Sequence, residues 1–64
     1  MSEQQLVKDA YADVIKALFT TFVENWTAAK GANDAPGVAD AERVYSKALQ
    51  LRKDALTKAL SLTP

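Results

Sequence analysis

The chain contains neither cysteine nor histidine. That rules out a disulfide framework, a structural zinc site of the usual Cys/His kind, and a Ser–His or Cys–His nucleophilic pair. Glycine and proline number two each, and apart from the terminal Pro64 they are confined to the stretch from Gly31 to Gly37. Neither glycine follows a strand-like segment, so no phosphate-cradling loop is formed. Eight basic residues balance eight acidic ones, and the net charge of zero provides no overall field toward nucleic acid or an anionic membrane. Apolar runs are only a few residues long, and the opening MSEQQLVKDA has no basic segment, so neither a signal peptide nor a spanning helix is expected. The expectation is a cytoplasmic protein with no membrane contact and no cofactor.

At 64 residues the chain is one domain, and a lone core of this size contributes only about 3–5 kcal/mol. With disulfide and metal staples absent, self-association is the remaining source of stability. The hydrophobic fraction of 48% is too high for a chain disordered by composition.

From Leu6 to Trp26 the apolar residues Leu6, Val7, Ala10, Tyr11, Val14, Ile15, Leu18, Phe19, Phe22, Val23 and Trp26 recur at intervals of three and four. This is a helical period, with Asp9, Asp13, Lys16, Thr20, Glu24 and Thr27 on the other face. Its slow drift predicts a mild left-handed supercoil. Ser2 and Gln5 match a capping box, and Lys30 followed by Gly31 matches a helix end with glycine in the left-handed conformation. The second half repeats the pattern from Val38 to Leu62, with Asp34 as N-cap, Pro36 in the first turn, acids early and Arg52, Lys53 and Lys58 late. The fold class is all-α: an antiparallel two-helix hairpin, with helix 1 over about 3–30, a turn over about 31–35 and helix 2 over about 36–62.

Antiparallel geometry around Asn33 and Asp34 pairs Trp26 with Ala41 and Phe19 with Ala48, so that the Ala41, Ala48, Ala55 stripe faces the first helix. The apolar arc of helix 2 spans roughly 180°, wider than one neighbour covers. A homodimer closing a four-helix bundle is therefore expected, with Tyr45, Leu49, Arg52, Leu56 and Leu60 as its interface. Arg52 is the one charged residue within that arc. It has no carboxylate three or four residues away, so a snorkelling stem, a cross-subunit acid and a partner-binding role all stay open.

Catalysis has little to work with. Asp9 and Asp13, four apart, are the one suggestive carboxylate pair; as members of a polar face they supply neither a cleft nor a third metal ligand. Trp26 and Phe22 lie on the apolar stripe, which favours packing over a role as binding anchors. Arg43, Lys47, Gln50, Asp54 and Lys58 form a polar line along helix 2, a candidate nucleic-acid face built from Arg43, Lys47, Gln50 and Lys58 and interrupted by Asp54. In this layout the chain resembles the Rop-type plasmid copy-number regulators, short hairpins that dimerise and bind RNA; the resemblance is one of architecture and implies an RNA- or DNA-binding dimer. A hairpin with a Pro-containing bend, here Asn33-Asp34-Ala35-Pro36, resembles helical subunits of secretion needles in layout alone, and a structural subunit of a helical polymer is the other alternative. Taken from the residues themselves, the expected function is a non-catalytic interaction protein, a regulator or adaptor acting as a homo-oligomer on a protein partner.

Overall fold

A computed structural model describes residues 2–64. It contains two helices and, among the described residues, no strand: α1 spans Glu3–Gly31 and α2 spans Ala35–Leu62. The Ser2 hydroxyl starts α1 by accepting the Gln5 amide N–H at 3.1 Å. The reciprocal half of the capping box is not made, because the Gln5 side chain reaches forward and donates to Asp9 Oδ1 at 2.9 Å. Glu3 and Lys30 then sit in the first and last turns, where the helix dipole favours them.

The turn departs from the sequence expectation at one residue. Gly31 is still helical, and the left-handed position belongs to Asn33, at φ 55°. The Asp34 N–H bonds back to the Ala29 carbonyl at 2.9 Å and the Asn33 N–H to the Lys30 carbonyl at 3.1 Å, which is the Schellman pattern closing α1. Asparagine tolerates this region better than most residues with a side chain. Asp34 immediately serves as N-cap of α2, its carboxylate accepting the Gly37 N–H at 3.0 Å, with Pro36 in the first turn where its missing N–H is harmless. One three-residue connection, 32–34, thus ends one helix and begins the next. The dipole argument for α2 holds only at Asp34: neither its first nor its last turn contains a charged residue, and dipole effects fade within a turn.

Three contacts fix the antiparallel register. The rings of Phe22 and Tyr45 meet at 4.6 Å between centroids, the Trp26 indole N–H donates to Glu42 at 3.0 Å, and the Gln4 amide donates to the Thr63 carbonyl at 3.3 Å. In each pair the residue numbers total 67 or 68, so α1 and α2 run side by side without slippage. The half-covered positions of α1 are Val7, Tyr11, Ile15, Leu18, Phe22, Trp26 and Ala29, at intervals of four, four, three, four, four and three. That is an eleven-residue period, which does not drift in the left-handed sense expected from the broader apolar pattern. The Cα atoms extend over 48 × 18 × 6 Å. The last dimension barely exceeds the ~4.6 Å diameter of a single helical Cα cylinder, so the molecule is a slab one helix thick.

A candidate interaction face

The seam between the helices is the nearest thing to a core, and it is only half-covered: no described residue is buried. On α2 the seam is centred on Tyr45, Arg52 and Leu56, with Leu49 and Leu60 along one edge and Ala41, Ala48 and Ala59 along the other. The five residues expected to form an interface between chains, Tyr45, Leu49, Arg52, Leu56 and Leu60, are therefore all half-covered within the chain's own seam. The alanine stripe does not point at α1: relative to the expected orientation α2 is rotated by roughly 50°, half of the ~100° step between neighbouring residues, and Ala55 is exposed. On α1 the half-covered residue at this level is Leu18, while Phe19 is 54% exposed.

What remains in solvent is a different set: Leu6, Val14, Phe19, Val23, Val44, Leu51 and Leu62, between 38 and 73% exposed. Their distribution over the two broad faces of the slab is uneven. A shallow groove of about 150 Å³ brings Thr21 and Asn25 of α1 together with Asp40 and Val44 of α2, and a second of about 200 Å³ brings Val14 together with Arg52 and Ala55. These residues mark one face. Leu6, Ala10, Val14, Ala17 and Thr21 follow along its α1 side at helical intervals, and Val44, Leu51, Ala55 and Leu62 along its α2 side. Five of the seven exposed large apolar residues thus belong to this face, called here the Leu51 face. The reverse, Trp26 face contains Phe19 and Val23. It is otherwise polar, with Glu42 bonded to the Trp26 indole and Lys30 Nζ 5.9 Å above the Trp26 ring.

Arg52 is half-covered in the groove of the Leu51 face, among Val7, Tyr11, Val14, Ala55, Leu56 and Ala59. One guanidinium nitrogen donates to the Ala48 carbonyl a turn earlier, at 3.2 Å. Its stem lies over apolar surface while its head finds a backbone acceptor on its own helix.

The candidate nucleic-acid residues divide in two. Arg43 forms an ion pair with Asp40, the one ion pair among the described residues, and the Gln50 amide donates to Asp54 at 3.0 Å. Lys47 and Lys58 alone have their charge free for another molecule. Asp9 and Asp13 are exposed, Asp9 engaged by Gln5, and among the described residues no three acidic side chains converge on a point. Nor is any described helix long and apolar enough to cross a membrane.

Sequence reasoning placed Val44, Leu51 and Leu62 on the apolar arc of α2 beside the alanine stripe but chose the opposite flank, Tyr45, Leu49, Arg52, Leu56 and Leu60, as the interface between chains; in the structure that flank lines the chain's own seam. Charge does not separate the flanks, since Lys47 and Lys58 border one and Glu42 and Lys53 the other. Comparison with family models, with curated proteins and with solved structures finds no match to this chain.

Proposed function

We propose that the chain is a non-catalytic interaction module that works as a homo-oligomer, a small regulator or adaptor whose Leu51 face is covered by protein. The observation that carries this reading is a chain with 48% hydrophobic residues that, among the described residues, buries none. Its accessible surface is 4738 Å², against about 4,000 Å² for a compact monomer of this mass. The radius of gyration is 14.9 Å, against ~11 Å for a globular chain of this length. Exposed large apolar residues gathered on one face favour a contact site, and a second slab stacked on the first would complete a four-helix bundle.

The test is sedimentation equilibrium across a wide concentration range, followed by capture of partners from the native host and their identification. A reversible dimer at micromolar concentration is expected. A concentration-independent folded monomer contradicts the reading; open-ended growth points to a polymer subunit, and salt-sensitive RNA binding by the assembled form points to a Rop-like regulator.

A further inference from the structure

The stacking of the two copies can be argued from the rims of the Leu51 face, an inference that rests on the homo-oligomeric reading above. Asp13 stands on the α1 rim between Ala10 and Ala17, three residues after one and four before the other, and Glu24 follows Thr21 by three. Lys47 stands on the α2 rim between Val44 and Leu51, and Lys58 precedes Leu62 by four. The two acids are eleven residues apart, as are the two lysines, close to three helical turns in each case, so each pair stays in line on its own rim. None of the four takes part in an ion pair among the described residues. The two acids on the α2 side are already engaged, Asp40 by Arg43 and Asp54 by Gln50. One rim is acidic and the other presents free lysines.

We infer that the occupant of the Leu51 face is a second copy stacked with its α1 over this chain's α2, and with both turns at the same end. A twofold axis along the 48 Å length of the slab generates this arrangement. Because the hairpin register repeats across the interface, both lysines are offset four residues from the level of the acids they approach, in the same direction, ~6 Å that a lysine stem spans. Side-chain size agrees over the middle of the face, where Leu51 comes level with Ala17 and Val44 close to the level of Thr21, while at the open end Leu62 comes level with Leu6. Turns at opposite ends would instead set α1 on α1 and α2 on α2, acid near acid and lysine near lysine, which opposes association. A footprint of 48 × 18 Å is on the order of 800 Å² per copy, the area of a standard stable interface.

The chain lacks cysteine, so Ala32→Cys places a single spin label in the turn, and pulsed electron spin resonance on the dimer reads the separation of the two turns. Same-end stacking gives about 10 Å plus the label arms; a separation approaching the 48 Å molecular length overturns the stacking. Charge supplies a second measurement that leaves the exposed rims' helices intact by circular dichroism. Lys47→Glu with Lys58→Glu is expected to weaken the dimer about tenfold or more at low salt, and adding Asp13→Lys with Glu24→Lys to restore it. Equal affinity of the wild type, double and quadruple variants overturns the stacking while leaving dimerisation standing. A wild type that stays monomeric refutes the homo-oligomeric reading itself, so the two failures are told apart.

Discussion

The two glycines look alike in sequence and differ in what surrounds them. Gly31 is helical, and a Cβ added there meets nothing within 4 Å. Gly31→Ala should therefore stabilise by about 0.5–1 kcal/mol through reduced chain entropy and better helix propensity. A Cβ on Gly37 would run into the carboxylate of Asp34 and lie 3.2 Å from Ala29 Cβ, so Gly37→Ala displaces the N-cap of α2. It should destabilise, by an amount approaching the ~1 kcal/mol of losing a cap, and thermal melts of the two variants should shift in opposite directions. Arg52 is the other residue whose environment decides its part. Its guanidinium has one acceptor, Ala48 O, in a groove otherwise apolar or aromatic. In the proposed stacked dimer Arg52 would lie near the axis, where burying its charge opposes association. Arg52→Met should leave helicity unchanged and tighten the dimer in sedimentation; a loss of several kcal/mol would mean instead that the arginine meets an acid across the interface.

At the scale of the element, Phe22 and Phe19 test the rotation of α1. Phe22 stacks on Tyr45 and is half-covered, whereas Phe19 points from the Trp26 face at 54% exposure. Phe22→Ala should cost about 2 kcal/mol, half of a fully buried truncation, and Phe19→Ala less than about 0.5 kcal/mol. Equal losses would place Phe19 in the seam, as the sequence pattern alone suggested. The reason that pattern erred is physical. Both helices and the short connection are written in local chemistry: Ser2 and Asp34 as caps, Pro36 in a first turn, apolar intervals of three and four. Rotation about the helix axis is not local. With an apolar arc of roughly 180° on α2, several rotations cover similar area, and the choice falls to pair contacts such as Phe22 with Tyr45, which periodicity does not encode. The left-handed residue was misplaced for a related reason, since Gly31 and Asn33 both qualify for it and the Schellman bonds from Asn33 and Asp34 select between them. The candidate interface followed from the expected rotation: Leu49 and Leu56, taken as facing another chain, line the chain's own seam.

For the whole molecule the consequence of the proposed homo-oligomer is that folding and association are one process. Among the described residues none is buried, and a half-covered seam with two side-chain hydrogen bonds between the two halves of the hairpin is what offsets the entropy of ordering the chain. In the proposed dimer the missing burial would be supplied on stacking, when Val44, Leu51, Leu62 and Val14 leave water. The midpoint of thermal unfolding should then depend on concentration. A hundredfold increase adds about 2.7 kcal/mol per dimer, which, against an unfolding entropy near 2.1 cal/mol/K for each residue of two chains, raises the midpoint by about 10 °C. Leu51→Glu should abolish this slope, because it forces a carboxylate into the stacked face, while Leu49→Glu should lower the midpoint at every concentration by charging the seam itself. Differential scanning calorimetry at several concentrations separates the two behaviours. A midpoint that holds constant over that range in the wild type would mean that the half-covered seam alone sustains the fold, and the Leu51 face would then have to be explained by something other than a second copy.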